Sequence, residues 1–211
     1  MSDVNWEEIT KGRMRGGSGL AHILKIPMRR SGREVAAGLV KDGDRVLDAG
    51  ANDRNLGTFF KERGLKLEYL SYDVDRSLKH DFYSLSEITG RFDAVFAMEI
   101  IEHMGVASIT ELFVKAREAL KDGGAFVVST PNVCHPVVFW RDCTHTTPVR
   151  YDELYGLLKT AGFDDVTIYR IGDFKMKYRV LAFLLSPVLK LFRIDYAPGI
   201  LAVARAGKNK R

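Results

Sequence analysis

Val46-Leu47-Asp48-Ala49-Gly50, continuing into Ala51-Asn52-Asp53-Arg54-Asn55, is the stretch on which the reading of this chain turns. The apolar pair fits a short strand beginning at Arg45. An acid and then a glycine at its end let the backbone turn sharply while presenting a carboxylate and free amides. Helical spacing follows over Asn55–Arg63. Leu67–Tyr72 reads as a second strand ending in Tyr72-Asp73-Val74-Asp75, with Asp73 lying 23 residues after Gly50. An acid at that place is suited to accept the hydroxyls of a ribose. His80-Asp81-Phe82 reads as a third strand end, where a carboxylate would accept an adenine amine with Phe82 against the ring.

The same alternation continues to the C-terminus. Phe92–Met98 is a fourth strand running into Glu99-Ile100-Ile101-Glu102-His103. Ser108–Leu120 puts Ile109, Leu112, Phe113, Ala116 and Leu120 on one helical face, and Gly123-Gly124 stops it. Ala125–Ser129 is a strand, Tyr151–Thr160 a helix, and Val166–Tyr169 and Ile200–Arg205 are two last strands. Alternating strands and helices predict an α/β fold, a mostly parallel sheet with helices on both faces. Ligands of such sheets sit beyond the carboxyl ends of the strands. The final two strands are expected to pair antiparallel around an insertion.

Composition bounds the answer. At 211 residues, 46% hydrophobic and 28% charged, the chain fits one globular domain. Cys134 and Cys143 are too few to staple such a fold and fit a reducing compartment, so the expected location is cytoplasmic. The first residues, MSDVNWEEIT, are acidic and do not read as a signal peptide. The longest apolar run, Val180–Phe192, has 13 residues, short of the roughly 20 that span a bilayer. The net charge of +5 divides into +2 over residues 1–44, −5 over 45–173 and +8 over 174–211. A basic tail beside an acidic body does not point to general nucleic-acid binding.

Taken together, VLDAGA, SYDVD, HDF, AMEIIEHM, LKDGGAFVVSTPN and THTTPVRYDELYGLLKTAGF resemble, in order, the motifs of the class I S-adenosylmethionine-dependent methyltransferases. The nearest likeness is to the small-molecule group that includes the ubiquinone-biosynthesis-type enzymes. It spans roughly Arg45–Gly172, with Ile200–Arg205 as the last strand. The resemblance implies a Rossmann-like, doubly wound seven-stranded sheet with an antiparallel last strand. It implies S-adenosylmethionine as cofactor, held by Asp48, Gly50, Asn52, Asp73, Asp81, Phe82 and Glu99. The chain departs from the family where further glycines usually follow the first motif: Asn52 and Arg54 stand there. Residues 1–44 read as a helical preamble or cap, with helix-compatible stretches at Leu20–Met28 and Arg33–Val40. Residues 45–211 then form the methyltransferase domain, with a basic, apolar helical insertion at about 174–198.

Methyl transfer from a sulfonium is an in-line displacement, and a base assists when the acceptor is a hydroxyl. His145, in the family's His-containing loop, is the first candidate and His103 the second. No metal is expected, since Cys134, His135, Cys143 and His145 match no common zinc spacing. The expected activity is methylation, most simply at oxygen, of a small-molecule or lipid-like acceptor. Tyr178–Phe192 is expected to form one helix, bent at Pro187, that packs on the sheet, covers the acceptor, meets an anionic membrane surface or pairs with a second copy in a homodimer. Two other readings stay open: a catalytically silent methyltransferase-like binding module, and a nicotinamide-dependent oxidoreductase. Against the latter, no G-x-G-x-x-G follows the first strand. Each acid also has a plain use as a helix cap or turn residue.

Overall fold

The computed structural model describes residues 23–207 together with Glu7, Thr10, Lys11 and Met14. Seven strands form one sheet. They are β1 (Met28–Arg29), β2 (Arg45–Ala49), β3 (Glu68–Tyr72), β4 (Phe92–Met98), β5 (Leu120–Pro131), β6 (Asp165–Ile171) and β7 (Gly199–Arg205). Their spatial order is β1-β6-β7-β5-β4-β2-β3, and β7 alone runs antiparallel, between β5 and β6. The helices are α1 (Gly32–Ala37), α2 (Asn55–Glu62), α3 (Val106–Ala119), α4 (Tyr151–Thr160), α5 (Met176–Leu184) and α6 (Ser186–Leu191).

Both faces of the sheet are covered, which is why its strands read as near-continuous apolar runs. Side chains alternate between the faces. Val46, Ala94, Phe96 and Val127 pack with Ala36 of α1 and Leu56 and Phe60 of α2. Leu47, Val95, Phe126 and Val128 pack on the other face with Ile109, Leu112 and Phe113 of α3 and Leu154 and Leu158 of α4. Both layers consist of buried apolar side chains, and the central strands form the floor under the loops at their carboxyl ends.

Three expectations need correction. The stretch Leu20–Met28 is not helical where described: a 3-10 turn at Ile23–Lys25 gives way to β1, which pairs parallel with β6. Pro27 explains this, because it carries no N–H and pushes Ile26 out of the helical region. Residues 20–22 and the Gly16–Gly19 stretch lie outside the described residues. The third strand at His80-Asp81-Phe82 shrinks to one bridge, Tyr72 with Phe82. Asp75 and Asp73 bind the backbone of the residues after them and hold this segment in turns. The seventh strand is therefore β1, contributed by the N-terminal stretch. Finally, Tyr178–Phe192 is two helices broken at Leu185, since Pro187 sits in the first turn of α6 and cannot continue α5.

Among the described residues no helix is long and apolar enough to cross a membrane.

Candidate active site

The carboxyl ends of β2, β3, β4 and β5 lie side by side and bring most of the expected residues to one edge. After β2 the chain turns through Gly50, Asn52 and Arg54, all left-handed, with φ of 76°, 41° and 61°. Gly50 is required there: a Cβ would lie 2.0 Å from Ile100 Cδ1. Asn tolerates such a conformation better than most residues, whereas Arg54 gains nothing from it locally. Its guanidinium instead lies over the Tyr69 ring, 5.4 Å from the centroid, and 3.6 Å from Asp81 Oδ2.

Asp48 is buried at the end of β2 and accepts a hydrogen bond from the Tyr69 hydroxyl. Burial pushes its carboxyl up to about 6, against the opposing pull of that hydrogen bond and of Arg54. Tyr69 is driven up by the same burial and by Asp48, so its phenol stays protonated as the donor. Asp73 is half-buried. Its Oδ2 accepts from the Asn52 amide at 2.8 Å and its Oδ1 from the Asp75 amide at 3.0 Å. The first-motif loop is thus pinned to the end of β3, and each Asp73 oxygen keeps acceptor capacity beyond these bonds. Asp81 Oδ2 accepts from both the amide and the hydroxyl of Ser71, at 2.8 and 2.9 Å. Phe82 is half-buried and packs against the core beside Tyr72.

The end of β4 carries the second half of the site. Glu99 takes a left-handed φ of 54°, unusual for a residue with a long side chain, which costs on the order of 1 kcal/mol. Its amide donates to Ser129 O, and its Oε1 accepts from Ser129 Oγ at 2.6 Å. The surrounding protein and then the Glu102 carboxylate raise Glu99 to about 7, although its outer face remains open to solvent. Glu102 is only 1% exposed and accepts from Thr130 Oγ1 at 3.0 Å; burial raises its carboxyl.

The two candidate histidines meet. Their rings pack edge to face with centroids 4.9 Å apart. His145 Nδ1 lies 2.7 Å from Phe139 O, and His103 Nδ1 lies 3.3 Å from Thr144 O. A carbonyl only accepts, so His145 Nδ1 is the donor to Phe139 O. His103 Nδ1 also lies 3.0 Å from Thr144 Oγ1, whose own hydroxyl donates to Asp142 Oδ1, so this Nδ1 too is a donor. In each neutral ring Nε2 is the acceptor. The loop bearing His145 is held on β4 by the Thr146 and Thr147 amides, which donate to Glu102 O at 2.8 and 3.1 Å. His135 stands apart, its Nδ1 accepting from the Val137 and Val138 amides. Cys143 is exposed and Cys134 half-buried.

Sequence reasoning missed Glu102, Tyr69, Ser129 and Thr130. For Glu102 the signal was the Glu102-His103 pair following a strand; for the hydroxyls there was none. A groove of about 740 Å³ lies elsewhere, between α1 and β6 against Arg29, Tyr169 and Asp173. It contains none of these residues, so its size says nothing about the chemistry.

A parallel sheet interrupted by one antiparallel strand, with acids closing successive strands, defines the class I S-adenosylmethionine-dependent methyltransferases. The chain belongs to the methyltransferase domain family, whose model matches residues 22–168, and it is an S-adenosylmethionine-dependent enzyme of that class. No curated protein matches it in sequence. Among solved structures it is similar to a methyltransferase of Archaeoglobus fulgidus described as SAM-dependent, with a TM-score of 0.65 and 21% identity over 82% of this chain and 94% of that one. A Mesorhizobium loti S-adenosylmethionine-dependent methyltransferase gives 0.55 and 15% over 83% and 98%. Phosphoethanolamine N-methyltransferase 2 of Haemonchus contortus, in complex with S-adenosyl-L-methionine, gives 0.56 and 16% over 83% of this chain and 51% of that one. At such identities the likeness is one of fold.

Proposed function

We propose that this enzyme methylates an oxygen of a small-molecule or lipid-like acceptor, in the manner of the ubiquinone-biosynthesis-type group. The observation that carries the reading is the pair of Nε2 lone pairs, on His103 and His145, beyond the end of β4. In this scheme Asp73 binds the ribose, Asp81 and Phe82 flank the adenine, and Asp48, Gly50, Asn52 and Glu99 surround the methionine part. The acceptor hydroxyl gives its proton to His145 Nε2, with His103 beside it. Its oxygen then forms a bond to the methyl carbon as the carbon–sulfur bond breaks, and the sulfur leaves as the thioether S-adenosylhomocysteine.

A lipid-like acceptor is supported by the insertion. Phe183, Leu184, Leu191 and Phe192 of this segment are between 66% and 77% exposed, beside Lys175, Lys190 and Arg193. Apolar side chains ringed by bases suit an anionic membrane surface or an amphipathic acceptor. A homodimer through this face is the other use of it. We further propose a cytoplasmic location. Incubation with methyl-labelled S-adenosylmethionine and a panel of phenols, catechols and prenylated phenols tests the reading. A methyl ether made by the native chain and lost in His145→Ala supports it. S-adenosylmethionine binding with no ether formed on any hydroxyl acceptor, but label on an amine panel, overturns oxygen as the target.

A further inference from the structure

We infer that Trp140 is the wall against which this enzyme holds the apolar body of its acceptor, and that it thereby decides which acceptors are taken. This deepens the methyl-transfer reading and rests on it for the identity of what is bound. Four rings stand in a row beyond the ends of β4 and β5. His103 meets His145 at 4.9 Å between centroids, His145 meets Phe139 at 5.1 Å, and Phe139 meets Trp140 at 5.0 Å. The middle of the row is covered and its ends are open. Phe139 is 2% exposed, whereas Trp140 is 69% exposed and the His103 side chain 39%. A single ring therefore separates the proposed base, His145, from the open indole.

The second observation is how the indole is presented. Phe139–Arg141 is one 3-10 turn, and burial of the Phe139 ring in that turn sends the next side chain outward. Phe139 O accepts the Nδ1–H of His145 at 2.7 Å, so one residue fixes the histidine through its carbonyl and the indole through its ring. Ahead of the turn, the Val137 and Val138 amides donate to His135 Nδ1. Behind it, the Thr144 amide and hydroxyl both donate to Asp142 Oδ1. The backbone is braced on both sides, and a braced aromatic side chain with two torsions costs little entropy to engage. Val137, 50% exposed, adds a second open apolar side chain in the same loop.

A single exposed apolar residue is ordinary, and burial of Phe139 accounts for the direction Trp140 takes. It does not account for the residue type. Facing water, the indole stabilises nothing beyond its contact with Phe139, and a polar side chain would serve the turn equally well. An indole is favoured there only when a partner covers its face, through apolar burial and through attraction of its ring for the edge of a second ring. The neighbouring histidine says which partner that is. A molecule whose hydroxyl reaches His145 Nε2 has the rest of its body beside Trp140. Its class is an alcohol or phenol carrying a ring or hydrocarbon chain a few bonds from the methylated oxygen. Small polar alcohols leave the indole uncovered, and these the wall disfavours.

The probes are para-alkylphenols from methyl to butyl, titrated by calorimetry into the full chain saturated with S-adenosylhomocysteine. Covering a methylene on one side returns about half the effect of full burial, so affinity should rise about twofold per added methylene and roughly eightfold across the series. Trp140→Ala should lose most of that rise and Trp140→Phe should keep most of it, with the thermal midpoint of both near that of the native chain. In turnover the loss should appear as a higher KM for the butyl compound with kcat little changed. An equal rise in the native and Trp140→Ala chains overturns the wall. So does a native chain that binds S-adenosylhomocysteine but none of the phenols. Methyl ethers formed with no dependence on Trp140 leave oxygen transfer standing without the wall. A Trp140-dependent rise with label found only on amines keeps the wall and refutes oxygen as the target.

Discussion

Arg170 Nη1 donates to Asp195 Oδ1 across 2.8 Å, and neither residue is more than 6% exposed. The pair gathers four distant parts of the chain. Arg170 Nε donates to Ile26 O in the N-terminal stretch, and Asn132 Nδ2, at the end of β5, donates to Asp195 Oδ2 at 2.7 Å. Asp195 itself closes the insertion before β7. Breaking such a pair leaves an uncompensated buried charge, so Asp195→Ala is expected to cost about 3–5 kcal/mol. Urea unfolding checks it; a loss under 1 kcal/mol would show the pair to be dispensable.

Asp73 ties the Asn52 amide to the end of β3, and in the proposed scheme its remaining lone pairs take the ribose hydroxyls. Asp73→Ala should weaken S-adenosylmethionine binding by about 2 kcal/mol, the scale of hydrogen bonds to a charged group. Titration calorimetry reads this directly, and unchanged affinity removes Asp73 from the site.

Asp48 makes stability depend on pH in a stated direction. Its folded value of about 6 lies above the ordinary 3.8, so the folded chain holds the proton more tightly than the unfolded one. That contribution is full below pH 4 and is lost as pH rises through about 6. Asp48→Asn keeps an oxygen for the Tyr69 hydroxyl and removes the buried charge. It should match the native chain at pH 4 and exceed it by about 2–3 kcal/mol at pH 8. Parallel pH profiles of the two chains would count against a raised carboxyl.

Gly50 is confined by Ile100. Gly50→Ala combines a positive φ with a Cβ 2.0 Å from Ile100 Cδ1, and should lower stability by about 1–3 kcal/mol and weaken cofactor binding. Adding Ile100→Ala relieves the collision and not the φ, so only part of the loss should return. Full recovery would place the whole effect in the contact, as a thermodynamic cycle measures it.

The insertion offers a test that leaves the core intact. Leu184 and Leu185 are 67% and 45% exposed, so Leu184→Glu with Leu185→Glu should leave the melting temperature nearly unchanged. The same variant should lose co-sedimentation with anionic liposomes at low salt. If the native chain does not sediment either, the membrane use is excluded and a dimer is left to size-exclusion mass measurement.

The sequence by itself determined the parallel core and the acids that close it. Val46-Leu47, Phe92–Met98 and Ala125–Ser129 carry their burial in plain apolar runs, and Asp48, Asp73 and Glu99 stand at or just past the ends of β2, β3 and β4. These are local signals: a strand buried on both faces must be apolar throughout, and a carboxyl-end loop must turn sharply. Tertiary structure decided what no run of residues contains. Met28-Arg29 is too short to announce a strand and exists only because β6 offers it an open edge. The segment before Phe82 had the acid and the aromatic of a strand end but too few apolar residues to hold one. Tyr69 and Asp48, 21 residues apart, became partners through sheet register. His103 and His145, 42 residues apart, came into ring contact because the Thr146 and Thr147 amides found the carbonyl of Glu102 in the 3-10 turn after β4. Such hydrogen bonds form between whatever the fold brings together, and their partners leave no periodicity in the sequence.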